Sequence, residues 1–207
     1  MNDVNNDSAV TITGGNAVIQ NLTSDVAIDT DNDGTAENII LSYVGWGEWA
    51  SSTGNDLTIT AYGNSQQVSL GNVVAVTNLI GEYTDPDDLP QIGSADFAGI
   101  VQGFFTDNSA LGGTMNMNVD FGTDLVTGSM ALTKAEVAWA SPDFENGRLT
   151  AFGEFEADLS DGTNNMSGGL DGTLFGTSLN PTEAMGALTV SKAGGEDAAG
   201  VFVAVAK

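Results

Sequence analysis

The chain has 207 residues, of which 28 are acidic, 4 basic and none histidine or cysteine, for a formal charge of −24. That composition excludes disulfides, thiolate nucleophiles, cysteine or histidine zinc sites, imidazole bases and the Ser-His-Asp triad. Residues 1–133 hold 17 of the acidic side chains and no basic one, so nucleic-acid backbones and anionic lipid surfaces are repelled and nucleic acid is no partner.

The length suits one domain, and 41% hydrophobic residues suffice for a core. No run approaches the roughly 20 apolar residues that cross a bilayer, so no membrane insertion is expected. The opening residues lack a signal peptide's basic and apolar regions. The charge suits an extracellular or cell-surface setting where salt or calcium screens self-repulsion. A plain solubilising surface is the alternative.

Residues 1–38 read as an N-terminal extension. Residues 8–22 alternate like a strand outside the main fold, which suggests an arm adding a strand to a second copy of the chain. Next comes Asp29-Thr30-Asp31-Asn32-Asp33-Gly34. Carboxylates at alternate positions converge on one hard cation and glycine permits the sharp turn, so Asp29, Asp31 and Asp33, helped by Glu37, are the candidate Ca2+ ligands. A helical calcium loop needs a glutamate at its twelfth position, which here is Ile40, so either Glu37 or the Asn38 side chain has to help or the motif belongs to a non-helical loop. The competing reading is an acidic hairpin turn between residues 26–28 and 39–42.

Gly45-Trp46-Gly47-Glu48-Trp49-Ala50 imitates a dinucleotide fingerprint, but no helix signal follows it. Its two tryptophans read as core or end-sealing residues, with stacking on a flat ligand as the alternative. Residues 64–92 form an irregular excursion or extra strand pair. Within it, Asp85-Pro86-Asp87-Asp88 is a solvated loop, a second cation site or a contact for a basic partner.

From there the period is two. Met115, Met117, Val119 and Phe121 alternate with Asn116, Asn118 and Asp120; Val126, Met130 and Leu132 alternate with Thr127, Ser129 and Thr133. Glu154, Glu156 and Asp158 alternate with Phe155, Ala157 and Leu159, and the chain ends on the apolar run from Val201 to Ala206. Asp33-Gly34, Gly112-Gly113, Asn146-Gly147, Asp161-Gly162 and Gly194-Gly195 read as turns. Asn180-Pro181-Thr182-Glu183-Ala184-Met185-Gly186 carries a cap, a first-turn proline and a glycine stop, which predicts a short helical turn near 181–185. The fold class is therefore all-β: an eight-stranded antiparallel meander barrel over residues 39–207, preceded by the strand-rich extension.

Little of this sequence suggests catalysis. Same-face carboxylates on a strand lie about 7 Å apart, within reach of glycoside chemistry, but Glu154, Glu156 and Asp158 read as a solvated face. Met115 and Met117 read as core rather than haem or copper ligands, and Ser191-Lys192 as a strand end.

The order of several motifs resembles the C-terminal β-barrel of transferrin-binding protein B and the short bacterial transferrin-binding-protein-like solute-binding proteins. The residues that carry it are Tyr43-Val44-Gly45-Trp46-Gly47-Glu48-Trp49, Leu89-Pro90 leading into Gly93-Ser94-Ala95-Asp96-Phe97-Ala98-Gly99, and Val119-Asp120-Phe121-Gly122-Thr123 with Val126-Thr127-Gly128. They continue as Gly172-Thr173-Leu174-Phe175-Gly176, Glu183-Ala184-Met185-Gly186 and Gly200-Val201-Phe202. The resemblance implies a barrel filled by side chains, in a secreted or surface-displayed bacterial protein, with some relatives serving iron or haem acquisition. Host-protein contacts in the larger receptors lie mostly in another lobe, so transferrin binding itself is not implied. Three functions remain: a non-enzymatic binding module for a protein or small ligand, a structural subunit assembled through residues 8–22, and, least supported, an enzyme.

Overall fold

The computed structural model describes residues 10–13, 17–23, 25–31, 33–51, 56–61, 64–69, 75–81, 84, 89–107, 109–177 and 180–207. The strands up to Asp25 and from residue 45 to 81, with Thr177 and Asn180, are described by their backbone alone. The described strands are all antiparallel and form four sheets.

Three small sheets come first. β1 (Val10–Thr13), β6 (Asp56–Ala61) and β7 (Asn64–Ser69) make one. β2 (Ala17–Thr23), β5 (Val44–Ser51) and β8 (Ala75–Gly81) make the second, and the hairpin β3 (Asp25–Ile28) with β4 (Glu37–Ile40) the third. The predicted arm thus pairs within its own chain, Val10 opposite Ala61 and Thr23 opposite Trp46, while residues 8, 9 and 14–16 lie outside the described residues.

The large sheet holds β9 (Ser94–Phe105), β10 (Ala110–Asp120), β11 (Leu125–Lys134), β12 (Val137–Ala140), β13 (Asp143–Leu149), β14 (Glu154–Asp161), β15 (Met166–Thr177), β16 (Asn180–Lys192) and β17 (Glu196–Ala206). β17 returns to β9, Ala198 opposite Phe105 and Ala206 opposite Phe97, so eight strands close into a barrel. β12 shares the flank of β11 with β13 and is not one of the eight. All eight closing strands lie within residues 94–206; residues 39–81 build the smaller sheets instead.

An eight-stranded barrel has room inside for side chains and little more. Phe97, Met115, Met117, Val119, Val126, Phe144, Phe155, Leu170 and Phe202 fill it. Packing is close enough to forbid a side chain at some wall positions: a β-carbon on Gly172 would sit 2.5 Å from the Phe155 ring and 2.8 Å from the Phe202 ring.

β14 shows the simplest logic, with every second residue buried and Glu154, Glu156, Asp158 and Ser160 facing water. That apolar-in, carboxylate-out pattern is the reverse of a lipid-facing barrel. No helix among the described residues is long and apolar enough to cross a membrane. β17 departs from alternation because both its faces are covered. Phe202 and Ala204 point into the barrel, while Val203 and Val205 point out into a second apolar cluster with Val26, Ile28, Leu41, Val44, Ala98, Phe175 and Met185. The hairpin β3–β4 and the link after it lie over this outer strip, β3 touching β9 and β8 touching both β9 and β17.

Two sequence expectations are corrected. Residues 181–185 form no helical turn but belong to β16. Pro181 pairs with Gly176 where the β15–β16 register slips after Phe175, so its missing N–H falls at an irregularity that tolerates it. Strands on both sides then hold the segment extended. Likewise Gly112-Gly113 and Asn146-Gly147 are not turns but lie inside β10 and β13. A β-carbon on Gly113 would come within 2.5 Å of the Ala131 carbonyl, and on Gly147 within 2.6 Å of Val126's. Close strand approach, rather than chain reversal, demands glycine there.

Candidate functional site

β3 and β4 pair from Asp25 opposite Ile40 to Ile28 opposite Glu37, leaving the acidic motif as the hairpin connection. Short acidic side chains bend such a loop by accepting from nearby backbone N–H groups. Asp31 accepts from Asp33 N at 3.1 Å and Asp33 from Thr35 N at 2.7 Å. Asp29 reaches across the turn to Asp33 N at 3.1 Å and Gly34 N at 2.9 Å, and Gly34 has a φ of 90° that only glycine adopts cheaply. Glu37 folds back onto Thr30, one oxygen accepting from both N and Oγ1 at 2.9 Å.

The four predicted ligands meet. One carboxylate oxygen from each of Asp29, Asp31, Asp33 and Glu37 lies within 4.8 Å of the others. Opposite oxygens around a calcium ion stand about 4.8 Å apart, so the spacing fits that cation. Among the described residues, no backbone donor meets Asp31 Oδ2, Asp33 Oδ2 or Glu37 Oε1.

The barrel's two ends differ. At one, Trp139 is buried, its ring 4.9 Å from Phe105 in an edge-to-face contact and its Nε1–H donating to Glu196 at 3.0 Å. Lys134 joins Glu196 at 2.9 Å and Asp107 at 2.8 Å, and Lys192 donates to the Trp139 carbonyl at 3.2 Å. The Trp139 N–H, followed by Lys134, lowers the Glu196 pKa, while Lys134 holds Asp107 well below the carboxylate range. Asp161 closes the neighbouring loop, accepting from Ser141 N at 2.7 Å and from Thr163 and Asn164. Those bonds, Ser141's first, lower its pKa to about 2.

The opposite end displays apolar side chains. Ile92 is 82% exposed and Phe152 66%. Their loops adjoin where Leu89 packs beside Gly153. Backbone bonds hold both loops, Phe121 N to Gly93 O and Leu174 N to Gly153 O, each 2.9 Å. Asp96, Asp120, Asp124 and Glu154 lie at the strand ends around them.

The other candidates separate. Glu154, Glu156 and Asp158 stand on the water face of β14. Glu156 and Asp158 join Asp171 and Arg148 in lining an open groove of about 270 Å³ on the barrel wall. Met115 and Met117 are core. Gly45 to Ala50 lies within strand β5, and the side chains of Trp46 and Trp49 fall outside the described residues, as do Asp85 to Asp88. Lys192 ends β16, as its glycine-rich flank predicts. Sequence reasoning missed the Trp139 cluster; its signal was two of the four cations sharing one barrel end with a tryptophan.

No family model matches the sequence, and no curated protein does. Solved structures do. Transferrin-binding protein B of Haemophilus parasuis, as a double mutant, superposes with a TM-score of 0.59 at 15% identity, over 97% of this chain and 40% of that one. Isotype 1 transferrin-binding protein B of serogroup B Neisseria meningitidis gives 0.51 at 14% identity, over 88% and 36%. The likeness is one of fold. The chain has a transferrin-binding-protein-B-like barrel and spans about two fifths of the length of the H. parasuis chain.

Proposed function

We propose that this chain is a non-enzymatic binding module, displayed on a bacterial surface or secreted, that serves iron, haem or solute acquisition through the barrel end bearing Ile92 and Phe152. The observation that carries this reading is the asymmetry of the barrel. Its interior is filled, one end is plugged by Trp139 and exposes Val137, and the other holds two large apolar side chains, Ile92 and Phe152, on adjoining hydrogen-bonded loops. Apolar anchors on ordered loops contribute most to an interface because little entropy is lost on docking. The surrounding carboxylates favour a partner with a basic rim. Among the described residues, the ionisable groups with displaced pKa values, Asp107, Lys134, Asp161, Glu183 and Glu196, are each held by structural partners, not arranged around a reaction centre. In this reading the acidic hairpin loop takes a calcium ion, which relieves the repulsion among Asp29, Asp31, Asp33 and Glu37.

The test immobilises the chain at physiological salt and applies haem, iron-loaded transferrin and iron-free transferrin. Saturable binding of one probe, weakened at least tenfold by the double substitution Ile92→Ser and Phe152→Ser, supports the reading. Binding by none overturns the iron and haem part of the reading, and binding indifferent to the double substitution overturns the role of this barrel end. For the ion, millimolar calcium raises the melting temperature of the native chain and not that of Asp31→Ala; equal shifts discard the calcium site.

A further inference from the structure

The Glu183-Ala184-Met185-Gly186 motif has no part in the binding reading, yet it holds the most deeply buried carboxylate of the described chain. Glu183 projects from the outer face of β16 and is only 4% exposed. Its Oε1 accepts from Ser42 N at 2.6 Å, and its Oε2 from Tyr43 N at 3.0 Å and Val44 N at 2.9 Å. Of these three consecutive donors, Ser42 and Tyr43 lie in the link between β4 and β5, outside any strand, and Val44 opens β5. Successive N–H groups aimed at one point form an anion-binding concavity. Among the described residues no cation assists: Lys134 is engaged by Asp107 and Glu196, Lys192 by Trp139 and Lys207 by Asn116, and Arg148 lines the groove on the barrel wall.

The side chains that meet around this contact are apolar. Val26, Ile28, Leu41 and Val44 of the hairpin layer lie on Ala98, Phe175, Met185, Val203 and Val205 of the barrel. Apolar contact is non-directional and tolerates sliding. Three bonds to one carboxyl group do not, because a buried N–H that loses its acceptor is left desolvated and unpaired. The barrel has no comparable need for the layer. Its closing pairs run between residues 94 and 206, and its interior cluster shares no residue with the outer one.

We propose that Glu183 is a latch. Its carboxylate fixes residues 42–44, and with them the β3–β4 layer, on the barrel wall. Loss of the side chain's two acceptor oxygens frees that layer and bares the strip of Ala98, Met185, Val203 and Val205 while the barrel stays closed. The layer and the barrel are then separately opening units of one chain.

Hydrogen exchange of the full-length chain at neutral pH, read by mass spectrometry, tests this in the native protein, Glu183→Gln and Glu183→Ala. The glutamine keeps one acceptor oxygen and turns an amide N–H2 toward the remaining donors; the alanine keeps none. Amides in residues 25–44 should exchange at least tenfold faster in Glu183→Ala, with Glu183→Gln between, while those of β10 and β11 keep native rates. Unchanged exchange in residues 25–44 overturns the proposal, and so does acceleration of layer and barrel in parallel. Should the alanine variant fail to fold, the glutamine variant is judged by the same two criteria. A native chain whose layer and barrel amides open with one common rate also overturns it.

Discussion

The barrel interior and the outer seam are both apolar, but they are made by different rules. Inside, alternation along each strand delivers every second side chain to one filled space, and glycine at position 172 makes room for Phe155 and Phe202. At the seam, alternation is lost, because β17 is covered on both faces and a run of consecutive residues is buried. The interior is closed by the meander's own hydrogen bonds. The seam joins segments about 140 residues apart and carries a buried carboxyl group at its centre. One strand thus serves two units, and neighbouring residues on it belong to different cooperative structures.

The sharpest way to break that comparison is to truncate two adjacent residues of β17. Phe202→Ala empties part of the barrel interior and should cost about 3–5 kcal/mol of global stability, measured by chemical denaturation. Val203→Ala removes methyl groups at the seam and should cost about 2 kcal/mol, read as faster hydrogen exchange in residues 26–44 with the barrel still protected. If both substitutions lower global stability alike and neither opens the layer selectively, the two clusters form one unit.

How much of this was legible in the sequence follows the same division. Met115, Met117, Phe155 and Leu159 sit inside as their spacing predicts, because strand alternation is a local rule. The acidic loop was equally legible, since Asp29 to Glu37 lie within one hairpin and their convergence needs only a turn. Residues 181–185 misled for a physical reason: Asn180, Pro181 and Gly186 are local helix signals, and they were outweighed by pairing with β15 on one side and β17 on the other. The role of Glu183 was invisible because its donors, Ser42 to Val44, are remote in sequence and offer only backbone. Val203 and Val205 read as strand residues, but nothing in their spacing tells which segment covers them.

Acidity should push the two regions in opposite directions, a smaller effect than truncation. Burial, outweighing the three N–H bonds, raises the Glu183 pKa above the usual glutamate value. The docked layer therefore holds the proton more tightly than the open one. The resulting stabilisation is fully present below the ordinary glutamate pKa and is lost as pH rises through the raised value. Asp161 has the reverse sign. Its pKa of about 2 means its contribution is present above the ordinary aspartate value and is lost as pH falls toward 2. Corrected for the intrinsic pH dependence of amide exchange, protection in residues 42–44 should rise on mild acidification, while the loop at 162–165 loosens only in strong acid, and Asp161→Asn should remove the second response alone. Both regions weakening together from neutral pH downward would contradict the assignment.

The smallest effect is expected at the sealed end of the barrel, where the ion pairs look most prominent. Asp107 and Glu196 are exposed carboxylates, and Lys134 is partly open to water, so solvent screens most of their attraction. Trp139 against Phe105, by contrast, is buried packing that salt does not touch. Asp107→Asn should therefore shift the melting temperature slightly at low ionic strength and not measurably at 1 M salt, where the screening length falls to about 3 Å. Trp139→Ala should lower it at both, by a larger and salt-independent amount. A large Asp107→Asn effect that survives high salt would mean that the ion pairs, not the aromatic plug, close this end, and the barrel's two ends would then differ in charge rather than in packing.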